Sequence, residues 1–130
     1  MNEAEFKADL RSYWIDNWSD PRQVLWADDE NQGEVDTYWL RLTIRSEGSQ
    51  SMIVGRGREE HRGLIMIEVY GPRKDGPGEL ERFASEIANF WRLFRHERIK
   101  ADVPSVIGPT TDGAFNRHLI TLGWRGDMRN

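Results

Sequence analysis

The sequence predicts a single α/β domain of the α+β kind, and three observations carry that reading. Two segments repeat their apolar residues every three to four positions, the spacing of a helix with one buried stripe. Several others alternate apolar and polar residues with the period of a half-buried strand. The length of 130 residues suits one domain, and neither an internal repeat nor a second block of composition divides it.

The first helix is expected from Glu3 to Trp18, where Phe6, Leu10, Trp14 and Trp18 draw the stripe and Tyr13 lies beside it. Glu3 and Glu5 in its first turn complement the positive end of the helix dipole, and Pro21 closes the segment. Gln23 to Trp26 is a short apolar strand that feeds an acidic loop. Tyr38 to Arg45 is a half-buried strand, with Leu40, Leu42 and Ile44 alternating against Arg41, Thr43 and Arg45. Glu47 to Ser51 supplies turn residues, and Met52 to Val54 is a short strand ending at Gly55.

After a polar loop, Gly63 to Tyr70 carries the longest apolar strand signal and is the candidate central strand. Leu64, Met66 and Glu68 fall on one face, with Ile65, Ile67 and Val69 on the other. Glu68 inside that run reads either as an outward position or as a buried ion pair with an arginine. Gly71 to Gly78 is a flexible connector rich in Gly and Pro. The second helix starts at Glu79, and Leu80, Phe83, Ala84, Ile87, Ala88, Trp91 and Phe94 give it a wide apolar face. Short extended pieces follow at residues 99–103 and 106–107, near a sheet edge because of Pro104 and Pro109. The closing strand runs from Phe115 to Arg125, with a short flexible tail from about residue 126.

Composition narrows the function. Eighteen Lys and Arg stand against 22 Asp and Glu, a formal charge of −4, which disfavours a domain built to coat nucleic acid. Fifteen of the cations are Arg, and six Trp, three Tyr and five Phe accompany them. Arg and large aromatics are enriched at protein contacts, because they supply area and forked hydrogen bonding. Zero Cys excludes disulfides, thiolate metal sites and thiol nucleophiles. The first residues lack a secretory pattern, and no stretch approaches the ~20 apolar residues of a membrane span, so a cytoplasmic product with no membrane contact is expected.

No catalytic motif stands out. His61, His96 and His118 form no HExxH, and no GxSxG, P-loop or GxGxxG occurs, so neither an enzyme nor a cofactor or metal site is expected. Two segments are candidate contact sites. In the first, Arg56, Arg58 and Arg62 interleave with Glu59, Glu60 and His61, a mixture better suited to pairing with another copy than to holding an anion. In the second, Asp28, Asp29, Glu30, Glu34 and Asp36 repel one another and are expected to be solvated unless a cation or partner pairs with them.

Taken in order, Val24 to Asp28, Tyr38 to Ile44, Gly55 through His61-Arg62-Gly63 to Pro72, and a Gly-Pro-Gly leading into a helix resemble the tail terminator, or tail-completion, proteins of long-tailed bacteriophages, of which the lambda type is one. The likeness runs from about Glu5 to Arg125. It implies a mostly antiparallel sheet with two helices packed on one face. It also implies a structural virion protein made in the host cytoplasm, which forms a ring, expected to be hexameric, on the last ring of tail-tube protein. Such a ring ends polymerisation, meets the head–neck connector, and lets DNA through without specific binding. On the resemblance, residues 56 to 62 are expected at subunit or tube contacts, and the acidic loop at the lumen or neck. Another head–tail joining or minor tail-assembly protein is the alternative.

Overall fold

In the computed structural model, which describes residues 3–18, 23–26, 38–53 and 58–129, the elements run α1 (Glu3–Asn17), β1 (Gln23–Trp26), β2 (Trp39–Ile53), β3 (Arg58–Pro72), α2 (Gly78–Arg92), β4 (Ile99–Ala101), β5 (Ser105–Asp112) and β6 (Phe115–Arg129). A single 3-10 turn, Arg73–Asp75, leads from β3 towards α2. The sheet order is β1-β2-β3-β6-β4, with β5 paired to β6. Every pairing is antiparallel except β1 with β2. The expected α+β fold, with its mostly antiparallel sheet, is therefore what the chain forms, and β3 is its central strand.

Strand alternation sorts the side chains. Leu40, Leu42 and Ile44 of β2, Ile65, Ile67 and Val69 of β3, and Ile120, Leu122 and Trp124 of β6 lie on one face and are buried. Both helices cover that face. Phe6, Leu10 and Trp14 of α1 and Leu80, Phe83, Ile87 and Trp91 of α2 join the same core. The helices also meet each other through rings: Tyr13 lies 4.9 Å from Phe90, and Trp14 stands edge-on to Phe90 at 5.0 Å and stacks on Trp91 at 6.2 Å. Offset and edge contacts of this kind are worth about 0.5–1.5 kcal/mol each beyond area burial.

A histidine ties the two helices at one end. Nδ1 of His96 accepts the backbone N–H groups of Arg98 and Ile99, at 3.0 and 3.2 Å. Its proton therefore sits on Nε2, which donates to Asp9 of α1 at 2.9 Å.

Four sequence expectations need correction. Residues 47–51 do not turn: β2 continues through them to Ile53, with register shifts at Ser46/Gly48 and Ser51/Ile53. Residues 58–62 are strand, not loop, and pair with both Ile53–Gly48 and Arg129–Arg125. Gly71 and Pro72 extend β3 instead of opening a flexible connector. The flexible tail expected from about residue 126 is also replaced by strand, since Gly126 to Arg129 pair with His61 to Arg58. Cross-strand hydrogen bonding outweighs the turn preference of Gly and Ser wherever a long partner strand is available.

Two glycines make room for large rings on the helix side of the sheet. A Cβ at Gly126 would meet the Phe6 ring at 2.7 Å. The Trp124 indole crosses Gly63 to donate Nε1–H to the Arg45 carbonyl at 3.2 Å, and a Cβ there would collide with that ring and with the carbonyl. Gly63→Ala is expected to lower unfolding free energy by about 1–3 kcal/mol through overpacking. Gly78→Ala, with open space around it, should be neutral or stabilising by up to about 1 kcal/mol. Urea unfolding of the two variants checks the contrast.

Candidate subunit interface

The face of the sheet opposite the helices is built from the alternate residues. Across β2, β3 and β6 its rows read Trp39–Tyr70–Arg117, Arg41–Glu68–Leu119, Thr43–Met66–Thr121 and Arg45–Leu64–Gly123. Beyond them Arg62 lies beside Arg125, and Arg125 beside Lys100 of β4. Most of these side chains are half-buried or exposed, so this face is polar and accessible where the other is sealed.

One end of it carries its own small core. Trp39, Tyr70 and Phe115 are buried against each other. Trp39 and Tyr70 stack with centroids 4.0 Å apart and planes at 7°, and the Arg41 guanidinium lies 5.9 Å over the Trp39 ring. Beside them Glu68 resolves the choice posed by its position. Its Oε2 accepts from Arg117 Nη1 at 3.0 Å and from the Tyr70 hydroxyl at 2.7 Å, forming a half-buried ion pair. Burial, then the Glu68 carboxylate, pushes the Tyr70 phenol up to about 12, so it remains a donor at any physiological pH.

At the other end lies a cleft of about 220 Å³, bounded by Glu47, Arg62, Leu64, Asp102, Gly123 and Arg125. Charges of both signs line it. Arg62 Nε donates to Glu60 two residues away, and Arg45 pairs with Glu47 at 3.6 Å. Among the described residues, Lys100 and Arg125 have no ion-pair partner.

The predicted contact residues divide by strand parity. Glu60 and Arg62 point to the polar face and pair there. His61, between them, turns to the helix side, is buried, and lies 6.1 Å from the Phe6 ring. His61 is therefore a core residue and not a surface contact, which corrects the sequence expectation. Arg58 and Glu59 occupy the first two positions of β3. Arg56 and the acidic residues Asp28, Asp29, Glu30, Glu34 and Asp36 lie outside the described residues. Sequence reasoning passed over Lys100 and Arg125, whose neighbourhood depends on the pairing of β4 with β6.

Among the described residues no group of three or more His, Asp and Glu is placed to hold a metal ion, and no helix is long and apolar enough to cross a membrane. His118, on the helix side, is buried, and neither ring nitrogen finds a hydrogen-bond partner. Desolvation lowers its pKa below the ordinary 6.5, against a weaker upward pull from Glu81.

Two expectations follow. Because the folded state resists protonating His118, the unfolded chain takes up the proton first as pH falls through about 6.5. The contribution of His118 to stability is thus full above that value and declines below it. The loss of urea-unfolding free energy between about pH 7.5 and 5 should be smaller in His118→Leu than in the native chain. On the polar face, Arg117→Met leaves the Glu68 carboxylate without its cation and should cost about 1–2 kcal/mol. Adding Glu68→Gln should recover part of that loss in a double-mutant cycle.

Comparison with known proteins bears on what such a fold does. No curated protein matches the chain in sequence. Among 21 matching chains of solved structures, one superposes with a TM-score of 0.71 at 20% identity, covering 100% of this chain and 99% of its own. A likeness at that identity speaks for the fold. The sequence pattern of the family described as phage tail terminator protein matches residues 5–124, nearly the whole chain and every element except the first two residues of α1 and the end of β6. With that match added to the helix-covered sheet and its polar face, the chain belongs to the phage tail terminator family, a structural family of bacteriophage tail assembly.

Proposed function

We propose that this protein closes into a ring on the end of a tail tube, stops its polymerisation, and presents the opposite side of the ring to the head–neck connector. The ring is expected to be a hexamer of the virion's head–tail junction, assembled in the host cytoplasm. The observation that carries this reading is the division of the sheet into a sealed helix side and a polar, aromatic-lined side. A closed ring of identical subunits needs two different patches per copy, and each contact commonly buries over ~1,000 Å² in total. A two-layer molecule with unlike sides supplies them.

Within that ring, the β2–β3 end that carries Arg56, Arg58, Glu59, Glu60 and Arg62 is assigned to subunit or tube contacts. The five carboxylates from Asp28 to Asp36 are assigned to the lumen or neck, where like charge lets DNA pass without binding. The role is structural and needs no cofactor.

Negative-stain microscopy of purified tail tubes mixed with the protein tests this. A ring of density at one tube end and arrested elongation are expected, and Arg62→Glu should sharply reduce the fraction of capped tubes. Tubes that stay uncapped and continue to grow in excess protein would contradict the reading.

A further inference from the structure

Among the residues whose side chains are described, the two sides of the molecule carry opposite charge bias. On the polar sheet face and the β4 edge, Arg41, Arg45, Arg62, Lys100, Arg117 and Arg125 face four carboxylates: Glu47, Glu60, Glu68 and Asp102. Three of those arginines are neutralised within the chain by Glu47, Glu60 and Glu68. Of the other three cations, Arg41 lies over the Trp39 ring, while Lys100 and Arg125 are adjacent in register and exposed. The outward side of the helical layer is biased the other way. Glu5, Asp9, Asp16, Glu79, Glu81 and Glu86 outnumber its cations Lys7, Arg11, Arg82 and Arg92.

Apolar groups follow the same division. Ile15 of α1 is 64% exposed and Leu93, just past α2, is 65% exposed, although both belong to the helical layer. The polar sheet face offers Leu64, Met66 and Leu119, each only half-buried.

From this complementarity we infer that the sheet face of one copy docks on the helical layer of the next, with Lys100 and Arg125 meeting carboxylates of the partner copy's α1 or α2. The inference rests on the ring reading and specifies which surfaces meet. A head-to-tail contact joins unlike patches and repeats until the ring closes, so opposite biases on opposite sides are what it requires. Duplex DNA fits the sheet face less well, because Glu47, Glu60 and Asp102 interleave with its cations and oppose phosphate. A protein surface of mixed sign and net acidic bias matches it, and charge matching of this kind fixes orientation and register.

Carbodiimide crosslinking reads the contact directly, since it joins an amine to a carboxylate already in contact. The chain has only three lysines, Lys7, Lys74 and Lys100, which keeps the pattern simple. Rings assembled on tail tubes from an equal mixture of nitrogen-14 and nitrogen-15 protein should yield mixed-isotope peptides linking Lys100 to an Asp or Glu of residues 3–17 or 78–92. Lys100→Glu with Arg125→Glu should abolish most ring density while leaving the melting temperature of the isolated chain unchanged, as both side chains are exposed.

Three outcomes overturn the inference. These are Lys100 crosslinks found only within one isotope, Lys100 crosslinks found only to tube protein, and normal assembly of the double variant. In each case, rings visible by microscopy leave the ring reading standing. If the wild-type protein forms no ring with or without tubes, both readings fall together.

Discussion

Alternation along β3 is the constraint from which the rest of the structure follows. Its odd-numbered residues Ile65, Ile67 and Val69 have no exposure and must be covered, while Leu64, Met66 and Glu68 point the other way. Covering one side takes both helices. Their stripes supply Phe6, Leu10, Trp14, Leu80, Phe83, Ile87 and Trp91 to a single core. With both helices committed to that side, the other keeps polar and half-buried groups, so one periodicity produces the sealed layer and the accessible one together.

The two sides are stabilised by different physics. On the helix side large rings interlock, and His61 and His118 are buried among the elements that pack there. The opposite side relies on local pairing: Glu60 with Arg62, Glu47 with Arg45, and Glu68 shared by Arg117 and Tyr70. Half-exposed pairs of this sort contribute little to stability singly. They do set the charge pattern a partner meets, and the stacked Trp39 and Tyr70 give that pattern a stiff base.

The helices and the β3 core run were legible because each is decided by local spacing. α1 ends one residue short of the expected Trp18, and the stripes at Phe6, Leu10 and Trp14 and at Leu80 to Trp91 are buried as their periods require. The strands beyond that run were not, because Gly48, Ser49 and Ser51 prefer turns locally and become strand only through pairing with a distant segment. The candidate site was legible in part. The segment around Arg62 stood out by its mixed charge, but its division between faces did not, because residues adjacent in a strand face opposite ways and His61 turns inward. Lys100 and Arg125 are 25 positions apart and become neighbours only through the β4–β6 register, which no local pattern encodes.

The central claim, that assembly uses the sheet face left open by the helices, is tested most directly at Met66, in the middle of that face. Peroxide oxidation followed by mass spectrometry reports how accessible its thioether is. In the isolated protein Met66 should oxidise readily, and after incorporation into tails it should be strongly protected while the fold is unchanged. Equal oxidation of Met66 in the free and assembled states would contradict the account, because it would leave the open face as exposed to solvent in the tail as in the free chain.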